Sequence, residues 1–158
     1  MEWTKVTTEE QLLEAKAIRR KVFIEEQGVA EELEHDEYDA LTPLCTHILV
    51  LDQQQAVGTG RLRTVDGIGK LERICTLQEA RGKGVGALIV EALEAVAAEK
   101  GISKVKLGAQ LQAKAFYEKL GYETASGIFI DAGIEHVMMD KKLSGQSAQP
   151  VDSAESKL

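Results

Sequence analysis

The 158-residue sequence is poor in cysteine, in basic charge and in long apolar runs, and each shortage removes a class of chemistry. Only two cysteines occur, Cys45 and Cys75, far apart and each inside an apolar, strand-like run at residues 44–51 and 71–77. Without a CxxC pair or a Cys/His group at zinc-ligand spacing, no metal site is expected, and both thiols read as buried, reduced core residues. Nineteen Lys and Arg face 26 Asp and Glu, a formal net charge of −7 with a pI near 5.1. That balance leaves nothing to neutralise phosphates and excludes nucleic acid as a general partner. An acidic surface serves solubility and is also compatible with a cationic small molecule. No apolar run approaches membrane-spanning length. The N-terminal stretch, broken by Lys5, Glu9, Glu10, Glu14 and Lys16, does not resemble a signal peptide. A membrane partner is therefore not expected, and the cytoplasm is the expected compartment.

Hydrophobic residues make up 44% and charged residues 28%, the balance of one ordinary globular domain with a sizeable core. Residues 2–6 read as a short strand. Thr8 and Gln11 form a capping box, and Leu12, Leu13, Ala15, Ala17, Ile18, Val22 and Phe23 recur at helical spacing to about Glu26, before Gly28. Six acidic residues lie between Glu31 and Asp39, which reads as a solvated loop or a substrate-facing lip. Residues 44–51, 56–65 and 70–77 read as three strands of an antiparallel meander, with turns at 52–55 and 67–69. Val85, Leu88, Ile89, Ala92, Leu93, Val96 and Ala97 define a helix over residues 84–100, closed by Gly101. A strand at 103–107, a helix at 110–120 ending at Gly121, and strands at 122–130 and 133–143 complete the folded part. Residues 144–158, rich in Ser, Gln, Ala and Pro, are expected to form a disordered tail beyond a single domain at 1–143. The order describes a mixed α/β layer with one strand–helix–strand crossover.

The sharpest local pattern is Arg81-Gly82-Lys83-Gly84-Val85-Gly86-Ala87, between a strand and a helix. Alternating glycines let the backbone turn tightly and leave amides free at the positive end of the helix dipole, which makes an anion site. A Walker A loop needs Gly-Lys-Ser/Thr, and here Gly82-Lys83 is followed by Gly84. A dinucleotide-binding turn belongs to the first strand–helix unit of a parallel sheet, whereas this one follows an antiparallel meander. The second pattern is Phe116-Tyr117-Glu118-Lys119-Leu120-Gly121-Tyr122, in which Ala113, Phe116 and Leu120 are expected on the buried helix face.

Together the two patterns resemble the GNAT superfamily of N-acetyltransferases. The first matches its Arg/Gln-x-x-Gly-x-Gly/Ala acyl-CoA motif. The second matches its Phe-Tyr-x-x-x-Gly-Phe helix, with Tyr122 for the last Phe. Arg20-Lys21-Val22-Phe23-Ile24-Glu25-Glu26-Gln27 and Gly133-Ile134-Glu135-His136 look like the ElaA/YjcF-type subgroup, although Glu135 stands where such sequences commonly carry Pro. The resemblance implies a mostly antiparallel α+β sheet whose single β-α-β crossover carries the acyl-CoA site. It implies transfer of acetyl from acetyl-CoA to a primary amine of a small molecule or peptide, with a homodimer as the default assembly. Residues 81–87, namely Arg81, Gly82, Lys83, Gly84, Val85, Gly86 and Ala87, would bind the pyrophosphate. Ile74 and Thr76 would pair with the pantetheine arm, and Gln110, where the family often places Asn, would add an amide contact. Ala113, Phe116 and Tyr117 would complete the cofactor end, with Tyr117 as general acid. Glu26, Glu34, Glu72 and His136 are the candidates for acceptor contacts or the base, Glu26 having the better case because it closes the helix lining the acceptor cleft. His47 reads as structural. A catalytically weak acyl-CoA sensor, or an interaction module docking a basic partner on residues 31–39, are the competing classes.

Overall fold

A computed structural model of the protein describes residues 1–143; the tail expected at 144–158 lies outside the described residues. Strand β1 (Glu2–Lys5) is followed by helix α1 (Glu9–Arg19), which opens on the Thr8/Gln11 capping box. The helical period predicted to run to Glu26 changes pitch: residues Arg20–Glu26 form a π-helical segment. The acidic stretch is not a solvated loop. It contains helix α2 (Glu31–Glu34), and both Glu34 and Asp39 are buried.

The meander follows as β2 (Cys45–Asp52), β3 (Gln55–Val65) and β4 (Ile68–Thr76). Helix α3 (Val85–Glu99) crosses over to β5 (Lys104–Gln110). The helix predicted at 110–120 is shorter, a 3-10 turn at Leu111–Ala113 leading into α4 (Lys114–Lys119). The strand predicted at 122–130 is two pieces, β6 (Glu123–Thr124) and β7 (Phe129–Asp131), before β8 (Ile134–Lys142).

All strands form one sheet in the order β1-β2-β3-β4-β5-β8-β6, with β7 also paired to β8. Every pairing is antiparallel except β4–β5. One face is covered by α3, whose Val85, Ile89, Leu93 and Val96 pack on Ile48, Leu62, Leu71 and Leu107. The other is covered by α1, whose Leu12, Ala15 and Ile18 pack with Leu49 and Cys75. Side chains at β3 positions 58 and 60 would prevent the approach of α3: a Cβ on Gly58 would lie 2.7 Å from Val85 Cγ1. Glycine there seats the first residue of α3 against the sheet. Both cysteines are free and buried, and burial pushes the Cys45 thiol up to about 11.

Candidate active site

The sheet divides at its one parallel join. β4 and β5 pair only through Gly69, Lys70 and Leu71 with Val105, Lys106 and Leu107. Beyond those residues β4 runs on to Thr76 bonded to β3, and β5 runs on to Gln110 bonded to β8. Their facing edges separate, leaving two backbone edges along a V. A bulge in β4 sharpens the divergence, because the register with β3 shifts between Thr59 and Arg61 and Arg73 takes the left-handed region at φ 58°. The V opens into a cleft of about 760 Å³ that continues to the N-terminus of α3.

Gly82 and Gly84 bring the chain into α3 with φ of 82° and 86°, and open space lies where a Cβ would be on either. Gly84, the residue before the helix, has no side chain to cap it, so the amides of Val85, Gly86 and Ala87 have no intrahelical partner. Arg81 lies across this entrance. Its Nε donates to Thr76 O at 3.1 Å, and Nη1 and Nη2 donate to the Glu26 carboxylate at 2.8 and 2.6 Å. That contact holds the Glu26 carboxyl below its ordinary value.

The cofactor-end residues expected from the sequence line one cleft, apart from Lys83: Ile74, Thr76, Arg81, Gly82, Gly84–Ala87, Gln110, Ala113, Phe116 and Tyr117. The burial of α4 is reversed relative to its prediction. Phe116 is 37% exposed, with its ring against Gly86, while Tyr117 is 8% exposed and Ala113 and Leu120 are only half-buried. Burial pushes the Tyr117 phenol up to about 12, with the Cys75 thiol adding to it. Gln110 accepts from Gln112 and donates to Gln27 Oε1 at 3.0 Å.

At the other end, Glu34, Glu72 and His136 line the cleft and Glu26 does not. Two buried arginines hold the wall. Arg19 Nε donates to Glu34 Oε2 at 2.6 Å, and its Nη1 to Asp39 Oδ1. Arg61 donates to Asp36 at 2.6 Å, to Asp39 at 3.1 Å and to Glu72 at 3.0 Å. Burial raises the Glu72 carboxyl, but Arg63, Arg61 and Lys70 outweigh it and hold the group below its usual range. His136 sits 2.7 Å from Ile134 O through Nδ1 and stacks on Phe129, centroids 5.7 Å apart. His47 is buried with Nε2 2.9 Å from Tyr38 O. Sequence reasoning missed Lys70, Arg73, Phe129 and Asp131, which also line the cleft. Nothing in the local pattern of β4 announces the bulge that turns Arg73 inward.

The overall fold is shared with solved acyltransferases. Escherichia coli ElaA superposes with a TM-score of 0.77 at 25% identity, covering 89% of this chain and 98% of its own. An N-acetyltransferase of Thermoplasma acidophilum, PaiA, solved in complex with coenzyme A, shares the fold at a TM-score of 0.67 and 18% identity, over 90% of this chain and 99% of its own. The Bacillus subtilis N-acetyltransferase YjcF is 48% identical over 134 residues, 84% of this chain and 94% of the relative. The acetyltransferase (GNAT) domain model matches residues 5–143, and the chain belongs to that family of acyltransferases. Among the described residues no helix is long and apolar enough to cross a membrane.

Proposed function

We propose that this chain moves the acetyl group of acetyl-CoA directly to a primary amine of a small molecule or peptide. One observation carries the reading: the unpaired β4 edge, the uncapped N-terminus of α3 and the buried Tyr117 all line a single cleft. Amides of residues 82–87 and the Arg81 charge fit a pyrophosphate. The β4 edge near Ile74 and Thr76 fits a pantetheine arm lying as an added strand. Acetyl-CoA supplies an activated carbonyl and a thiolate leaving group.

Tyr117 acts as the acid. Among the described residues no protein group hydrogen-bonds its hydroxyl, and it keeps its proton throughout the neutral range. The thiolate that leaves as the amide bond forms takes that proton. For the base we favour His136 over Glu26. Nδ1 of His136 donates to Ile134 O, which leaves Nε2 as the acceptor for an ammonium proton. Glu26 is engaged by Arg81 and lies outside the cleft lining.

Calorimetric titration with acetyl-CoA and CoA, and CoA release followed by a thiol reagent over an amine panel, test the reading. Binding tighter than millimolar and turnover with at least one amine are expected. Tyr117→Phe is expected to keep CoA affinity and lower kcat by about 100-fold or more. His136→Gln is expected to lower kcat while CoA affinity is kept. Absence of binding overturns the cofactor assignment, and an unchanged Tyr117→Phe rate removes the acid role.

A further inference from the structure

Arg73 departs from local backbone rules. In β4 it holds φ at 58°, a conformation that strains a side chain with a Cβ and that bulges ordinarily give to glycine. A strained, charged residue on the wall of a cleft points to a role for its side chain. The guanidinium donates from Nε and Nη2 to a backbone oxygen, Glu34 O, at 3.2 and 3.1 Å. Its nearest carboxylate oxygens, on Glu34 and Asp36, stand 3.7 and 3.6 Å away, beyond hydrogen-bond distance, and each carboxylate is taken more closely by Arg19 or Arg61.

Arg73 is a quarter exposed and lines the cleft just past the last β4–β5 pair. Burial and the neighbouring Arg61 and Arg19 lower its pKa, against the pull of Asp36 and Glu34. Asp131, on β7, is the one cleft carboxylate with no basic partner within salt-bridge distance among the described residues, and it is exposed.

Resting on the acetyl-transfer reading above, we propose that Arg73 binds a carboxylate of the acceptor, so that the substrate class is an amine that also carries a carboxylate. A planar guanidinium matches a carboxylate two-pronged. The amine then lies where β4 and β5 diverge, and the acid end lies toward α2.

The test measures kcat/KM for ω-amino acids from glycine to 6-aminohexanoate, each against its primary amide, with spermidine as the polycationic contrast. The wild type is expected to favour one or more acids over their amides by about 10- to 100-fold, the range of a lost charged hydrogen bond. Arg73→Gln is expected to bring that ratio close to one. Arg73→Gly removes the cation while suiting the bulge, so a variant that melts no lower than wild type and still loses the ratio supports the proposal free of any folding defect. Equal rates on acids and amides, a preference for spermidine, or a ratio that survives Arg73→Gly overturns the proposal alone. No CoA release with any amine overturns the acetyl-transfer reading and this proposal with it.

Discussion

Replacing Arg19 by methionine should be among the most damaging changes outside the hydrophobic core. Its side chain is 1% exposed and donates to Glu34 Oε2, Glu34 O and both Asp39 oxygens. Methionine fills similar volume and leaves two buried carboxylates, of which Asp39 retains Arg61 and the Asp36 amide. Breaking a buried pair from one side costs about 3–5 kcal/mol. For a domain of this size that lowers Tm by roughly 6–20 °C. Urea unfolding of both proteins across pH supplies the sharper measurement. Burial raises the Asp39 carboxyl, but Arg19, the Asp36 amide and Arg61 outweigh it, so the folded-state pKa is strongly depressed. A depressed carboxyl contributes stability that is present in full above its unfolded value, about 3.9, and is lost as pH falls through the folded one. Without Arg19 the Asp39 carboxyl moves upward, and the variant loses less on acidification. The gap between the two proteins should be widest near neutrality and narrow below about pH 4. A gap that is small at pH 7, or constant down to pH 2, refutes the assignment of this network as the fastening of α2.

Two further outcomes follow from distances at the cofactor end. Gly58→Ala places a methyl 2.7 Å from Val85 Cγ1 and 2.9 Å from Ile89 Cδ1, overpacking that costs about 1–3 kcal/mol. Because Val85 opens α3, CoA titration should show weaker binding alongside the lowered Tm; loss of Tm with unchanged affinity would separate helix seating from the anion site. Glu26→Gln removes a carboxylate that holds Arg81 and repels a phosphate, so CoA should bind a few-fold tighter at low salt, an advantage that fades as salt screens it. Weaker binding by that variant would show instead that Glu26 orients Arg81.

The turn at 81–87 was legible in the sequence because its constraint is local: a left-handed backbone with bare amides at a helix start favours glycine. The same holds for the capping box at Thr8 and the period of α3. The buried network was illegible for the opposite reason. Asp39 is 20 residues from Arg19 and 22 from Arg61, so an acidic run that looks solvated in one dimension is neutralised only in three. The face of α4 was misjudged because a 3-10 turn at Leu111–Ala113 precedes it and changes the phase, carrying Tyr117 inward and Phe116 out. The division of the sheet at Leu71 and Leu107 leaves no mark on the apolar pattern, since both flanking strands continue past it with their other edges paired.

That division has a consequence for solubility. A strand edge with free amides and carbonyls normally invites a neighbouring molecule to add on and propagate a fibre. Here the exposed hydrogen-bonding edges are recessed inside an angle closed at one end by three residue pairs and floored by α3. An edge recessed in this way is turned away from the flat edge-to-edge approach by which one sheet extends another.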